Sequence, residues 1–155
     1  MLEQYNIRKA HLDEIQLLQK LMRRSLSTWN YTEKELDTLV EHLKITPKMF
    51  DKSIIYVALL NNKIKGFWCR ELGKGQQLSQ GRLYIDPTVI KTGVGTMLWN
   101  KMIADLQNRN IEYFTFLSDA NAQEFYEKKG AIKIGEQSSV IITGKNIPIM
   151  RYYLK

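Results

Sequence analysis

The stretch Tyr84-Ile85-Asp86-Pro87-Thr88-Val89-Ile90-Lys91-Thr92-Gly93-Val94-Gly95-Thr96-Met97-Leu98-Trp99 narrows the folds open to this chain more than any other. Its apolar run stops at Asp86-Pro87, as a strand does where proline cannot donate to the ladder. A short loop leads to Gly93 and Gly95, and a long amphipathic helix then runs to about Arg109. Two glycines at a strand-to-helix turn let backbone approach a ligand, and the first helical N–H groups have no intrahelical acceptor. Orphan donors at the positive end of a helix dipole suit a phosphate or pyrophosphate. An isolated G-x-G can equally be a tight helix opening, so the context decides.

The 155 residues suggest one domain, 1–155, with room for a sizeable core. Cys69 is the single cysteine, which excludes an internal disulfide or a thiolate metal cluster built from this chain alone and fits a reducing cytoplasm. The opening residues lack the basic region and apolar core of a signal peptide, and no apolar run reaches the ~20 residues of a membrane helix. Neither secretion nor a membrane partner is expected. A net charge of +7 favours an anionic ligand. The lysines are dispersed and form no recognition-helix pattern, so the expected partners do not include nucleic acid.

Along the chain, Tyr5 to Arg8 reads as a strand. Ile15, Leu18, Leu21 and Met22 then share one helical face. Ser25 to Asn30 breaks that pattern, and Thr32-Glu33-Lys34-Glu35 is a capping box opening a second helix that buries Leu36, Leu39, Val40 and Leu43. Pro47 is expected to end that region. Ser53 to Leu60 is a nearly continuous apolar strand, read as buried on both faces, which Asn61-Asn62-Lys63 turns back into Ile64 to Arg70. After the turn Gly73 to Gln77, Leu78 to Asp86 forms the strand feeding the glycine loop. Tyr113 to Leu117 follows the long helix as a buried strand, so strand, crossover helix and strand make a parallel pair. A helix from Ala120 to Lys129 stops at Gly130, and two strands, Ile132 to Ile142 and Ile147 to Leu154, finish the chain. The class is α/β: a mixed, mostly antiparallel sheet of about seven strands with four helices.

This order, with its glycine loop after the fourth strand, resembles the GCN5-related N-acetyltransferase (GNAT) superfamily, in a small bacterial-type form. Two motifs carry the resemblance across nearly the whole chain. Ile90-Lys91-Thr92-Gly93-Val94-Gly95 is similar to the acetyl-CoA pyrophosphate loop R/Q-x-x-G-x-G/A. Asp119-Ala120-Asn121-Ala122-Gln123-Glu124-Phe125-Tyr126-Glu127-Lys128-Lys129-Gly130-Ala131 is similar to the helix N-x-x-A-x-x-F-Y-x-x-x-G-F/A. Ile90 stands where the family usually has Arg or Gln, with Lys91 offering a charge beside it. Asp119 stands where the motif has Asn; an ionised carboxylate accepts but does not donate, and Asn121 is the substitute donor.

The resemblance implies an acetyl-CoA-dependent N-acetyltransferase that uses no metal and acts on a primary amine of a small molecule or protein, by direct transfer in a ternary complex. It implies that the fourth and fifth strands part at their C-terminal ends, so that the backbone of Leu83, Tyr84 and Ile85 binds the pantetheine arm. The loop from Ile90 through Lys91, Thr92, Gly93, Val94, Gly95 and Thr96 holds the pyrophosphate, and the position of Asp119, with Asn121 as the substitute, is one that contacts the pantetheine arm. Tyr126 matches the tyrosine that protonates the leaving thiolate in many relatives; its bland reading is a packed aromatic beside Phe125. Many relatives carry a glutamate base on the fourth strand, but Gln77 to Arg82 contains no carboxylate. Glu71 is the nearest candidate, and water is the alternative. His11 and His42 sit at helical positions and are not assigned to catalysis. The resemblance also implies an acceptor site with Ser25, Trp29 and Tyr31 on one wall, Trp29 and Tyr31 lying in a helix break, and Gln137, Ser138, Ser139 and Arg151 on the other. A homodimer is expected from the resemblance alone. Ile90 and the missing carboxylate keep a non-catalytic CoA-binding regulatory module open.

Overall fold

The computed structural model describes residues 5–71, the backbone of 79–80, and 82–154. Its strands are β1 (Tyr5–Lys9), β2 (Ser53–Leu60), β3 (Lys63–Glu71), β4 (Ser79–Gln80), β5 (Arg82–Ile85), β6 (Tyr113–Leu117), β7 (Ile132–Ser138) and β8 (Asn146–Tyr153). Its helices are α1 (Ile15–Leu26), α2 (Glu33–His42), α3 (Pro47–Lys52), α4 (Val94–Asn108) and α5 (Gln123–Lys128). The expected mixed α/β architecture is present, as two half-sheets ordered β1-β2-β3-β5 and β4-β6-β8-β7. Every pairing is antiparallel except β4 with β6, which the α4 crossover makes parallel.

Three details differ from the sequence reading. The expected unbroken strand from Leu78 to Asp86 is two pieces, one in each half-sheet, and Leu78 and the Gly73 to Gln77 turn lie outside the described residues. Pro47 opens a helix rather than ending one: it sits in the first turn of α3, where its missing N–H would have had no acceptor. β7 stops at Ser138, short of Ile142, because the Ser139 hydroxyl accepts from the amides of Ile141 and Ile142 at 3.1 and 2.9 Å and turns the chain out of the ladder. That turn carries Ile141 and Ile142 onto the cluster packed under α1 and α2.

Alternation along β2 builds the core. Ile54, Tyr56 and Ala58 face α4 with Trp68, Leu98, Trp99, Met102, Phe114 and Phe116. Ile55, Val57 and Leu59 face the other way, onto Leu18, Leu21, Met22, Leu36, Leu39 and Phe67. The strand is therefore buried on both faces, as its unbroken apolar run suggested. Each such side chain removed from water is worth about 1.5–3 kcal/mol. The β2–β3 turn places Asn61 and Asn62 at φ 52° and 64°, the left-handed geometry of a two-residue hairpin that asparagine tolerates. Thr32 caps α2 as its sequence promised: its hydroxyl accepts from the Glu35 amide, and the Glu35 carboxylate accepts from the Thr32 amide at 2.9 Å. Among the described residues no helix is long and apolar enough to cross a membrane.

Candidate active site

The half-sheets part where β5 ends. The Asp86 amide donates to the Lys65 carbonyl at 2.8 Å, so by strand alternation the main chain of Tyr84 faces β3 and that of Leu83 and Ile85 faces the open edge. One of those edge donors is already held, since the Ile85 amide donates to Ser25 Oγ at 3.2 Å. All three residues line the cleft; the main chain of Leu83 and Ile85 is turned to it, and the Tyr84 ring packs on Phe67.

Asp86 anchors the turn that follows. One carboxylate oxygen accepts from the amide and hydroxyl of Thr88 at 3.0 and 2.7 Å, and the other accepts from Arg24 Nη2 at 2.8 Å. Burial by itself would raise the pKa of this carboxyl, but those hydrogen bonds outweigh it and bring it down to about 2. A pKa depressed on folding stabilises the protein above the ordinary carboxylate range, and the contribution is lost as pH falls through the folded value. Asp86→Ala is therefore expected to cost about 2 kcal/mol near neutral pH, with the difference from wild type closing as pH falls from about 4 to 2. Urea unfolding at several pH values measures it; a difference independent of pH would assign the loss to packing instead.

Beyond the turn, Thr92 returns its amide and hydroxyl to the Val89 carbonyl at 3.3 and 2.6 Å, and Lys91 and Gly93 adopt left-handed φ of 65° and 94°. The first intrahelical bond of α4 runs from the Met97 amide to the Gly93 carbonyl, which leaves the amides of Val94, Gly95 and Thr96 without a helical acceptor. A Cβ added at Gly95 would meet the Phe125 ring at 3.2 and 3.3 Å, so a small residue keeps the cradle open and a large one would have to displace Phe125. Lys129 Nζ donates to Thr96 Oγ1 at 2.5 Å and brings a cation to the first turn of α4. Sequence reasoning missed Lys129, whose partner is 33 residues away; the only local signal is its place at the end of the second motif.

This loop opens into a cleft of about 580 Å³. Of the residues expected from the sequence, Leu83, Tyr84, Ile85, Ile90, Lys91, Gly93, Gly95, Thr96, Asp119, Asn121, Tyr126, Trp29 and Tyr31 line it. Val94 turns into the core, and Thr92 supports the loop from behind through Val89. Gln137 and Ser139 reach the cleft, whereas Arg151 lies on β8 with its Nε donating to Thr115 Oγ1 at 3.1 Å. Glu71 stands exposed at the end of β3, paired in register with Ser53, and is not among the lining residues. His42, passed over in the sequence, does line the cleft, as does Phe125.

Tyr126 is 2% exposed and packs against Phe116, Phe125 and Trp99. Burial, then the nearby Tyr84 and Asp119, pushes its hydroxyl well above the ordinary tyrosine value, so it stays protonated. Asp119 is held by three neutral donors: one oxygen accepts from the Tyr31 hydroxyl at 2.5 Å, and the other from the amide and Nδ2 of Asn121, both at 2.8 Å. Asn121 therefore gives one of its two side-chain N–H donors to Asp119. Among the described residues no group of three or more His, Cys, Asp or Glu side chains is placed to hold a metal ion.

A family profile for the acetyltransferase (GNAT) domain matches residues 28–141. Solved structures align over most of the chain at low identity. A GCN5-related N-acetyltransferase from Rhodopseudomonas palustris is 18% identical, covering 96% of this chain and 94% of its own, with a TM-score of 0.81. The PaiA N-acetyltransferase of Thermoplasma acidophilum, in complex with coenzyme A, is 16% identical with coverage of 96% and 98% and a TM-score of 0.75. The ribosomal-protein-S18-alanine N-acetyltransferase of Escherichia coli is 15% identical with coverage of 97% and 94% and a TM-score of 0.73. No curated protein sequence matches the chain.

Proposed function

We propose that this chain, which belongs to the GNAT acetyltransferase family, is an N-acetyltransferase that carries an acetyl group from acetyl-CoA to a primary amine of a small molecule or protein, both bound together. The observation that carries the reading is the union, in one cleft, of a glycine-gated helix N-terminus and a buried, protonated tyrosine. Acetyl-CoA, when bound, supplies the activated acyl carbon. The amides of Val94, Gly95 and Thr96, with Lys91 and Lys129 beside them, suit its pyrophosphate. The open edge at Leu83 and Ile85 suits the amide groups of the pantetheine arm. Tyr126 Oη holds the proton that the departing thiolate needs. Glu71 stands outside the cleft and has no part, and Asp119, the one lining carboxylate among the described residues, is turned to Tyr31 and Asn121, so the amine's proton is assigned to solvent. The proposed setting is the cytoplasm, as one domain over 1–155.

Acetyl-CoA binding is the first test. A ligand at about 100 times its Kd stabilises the folded state by about 2.7 kcal/mol, so a clear rise in Tm is expected. Absence of any shift at millimolar acetyl-CoA would remove the foundation of the proposal. Thiol release across an amine panel then tests transfer. The exposed Ile90 at the loop and the lack of a free carboxylate favour a second reading, a non-catalytic CoA-binding regulator. That reading expects the same Tm shift with no thiol release.

A further inference from the structure

The acceptor end of the cleft has a chemistry of its own. α1 supplies Leu26, α2 supplies Leu39 and the residue that follows it, Leu43, the segment between β7 and β8 supplies Ile141 and Ile142, and Trp29 also lines the cleft. These side chains belong to or pack on the cluster under α1 and α2, on the opposite side of the β2–β3 sheet from the cluster that holds Tyr126 (Trp29 excepted).

The charge inventory is equally specific. Asp119 is the one carboxylate among the described lining residues, and its hydrogen-bond partners, the Tyr31 hydroxyl and Asn121, are neutral, so the lining offers one negative charge. The nearby acidic groups of α2 are spent elsewhere: Glu33 and Asp37 pair with Arg23, Glu35 caps the helix, and Glu41 faces Lys44. Residues 72–78, Leu-Gly-Lys-Gly-Gln-Gln-Leu, contain no carboxylate to add. One aromatic face of the cleft is already taken by a cation, because Lys145 Nζ sits 4.3 Å from the centroid of the Tyr31 ring. A polycationic acceptor entering here would meet Lys145 and find, among the described lining residues, no second carboxylate for its second ammonium.

We infer that the acceptor is a primary monoamine carried on an apolar aromatic or branched-aliphatic body, and that Lys145 is a specificity-determining residue that turns polycations away. The inference rests on the acetyltransferase reading and narrows its substrate class. It also fits the missing base: an amine drawn into an apolar wall is disfavoured as the ammonium and gives its proton to water more readily.

The test measures binding of β-phenethylamine, isoamylamine, spermidine and kanamycin by calorimetry, with and without saturating CoA, alongside thiol release from acetyl-CoA. Burial of a phenyl or isobutyl group is worth about tenfold or more in affinity, so the two monoamines are expected to bind at least about tenfold more tightly than spermidine or kanamycin. Lys145→Glu, in the exposed turn before β8, is expected to narrow or invert that ratio, and Lys145→Gln to move it part of the way. Equal or tighter binding of the polycations by the wild-type protein overturns the inference, as does failure of either monoamine to bind. An unchanged ratio in Lys145→Glu overturns the role of Lys145. Loss of CoA binding or of thiol release would count instead against the acetyltransferase reading, since the amine affinities are read separately.

Discussion

Tyr126→Phe is expected to leave the fold and the affinity for acetyl-CoA in place while lowering kcat by about 10²- to 10⁴-fold, the usual worth of a positioned general acid. The substitution isolates the hydroxyl. The ring contacts with Phe116 at 4.8 Å, Phe125 at 5.3 Å and Trp99 at 5.8 Å are all available to phenylalanine. Tyr126→Ala would confuse the matter, because truncating a buried aromatic costs about 3–5 kcal/mol of stability on its own. Burial also sets the pH behaviour. With its pKa raised on folding, the hydroxyl holds its proton across the whole range in which the protein would be assayed. Between about pH 6 and 9 the wild-type rate should therefore rise as the acceptor amine loses its proton, with no alkaline fall from Tyr126. Turnover of Tyr126→Phe at the wild-type rate, with an acceptor whose chemical step is limiting, would make the tyrosine a packing residue and nothing more.

What the sequence revealed and what it hid divide along the length scale of the interaction. β2 announced its two buried faces because six consecutive residues from Ile54 to Leu59 are apolar and each packs on one cluster or the other. The glycine loop and the cap of α2 were legible because each is a local arrangement of backbone donors. The split of the strand before Asp86 was not, since the residues on either side of it keep strand character and only their partners change half-sheet. The Tyr31–Asp119 bond spans 88 residues, Arg24–Asp86 spans 62 and Lys129–Thr96 spans 33, so no local pattern announces them. Such pairings also changed the roles of residues that had been placed correctly. Asp119 lines the cleft as expected, yet its oxygens serve Tyr31 and Asn121. Glu71 was proposed for being near in sequence to the strand, but it sits at the far end of β3 from the hairpin and outside the cleft.

Gly95→Trp is expected to act on binding rather than on chemistry, raising the Kd for acetyl-CoA by about 100-fold or more, which is about 2.7 kcal/mol. The geometry leaves no room for a large side chain. A Cβ alone would lie 3.2 and 3.3 Å from two atoms of the Phe125 ring and 3.9 Å from Ile85 Cδ1. An indole must push Phe125 aside or stand in the mouth of the turn, in front of the amides at the start of α4. Gly95→Ala is the graded control: Phe125 has to give by a few tenths of an ångström, and alanine suits a helix better than glycine by about 1 kcal/mol. The alanine variant should therefore keep its Tm within a few degrees and lose much less affinity than the tryptophan variant. Calorimetric titration with acetyl-CoA, with circular dichroism to verify the fold, reads both. Wild-type affinity in a folded Gly95→Trp would place the pyrophosphate somewhere other than this helix N-terminus, and with it would go the assignment of the loop from Ile90 to Thr96.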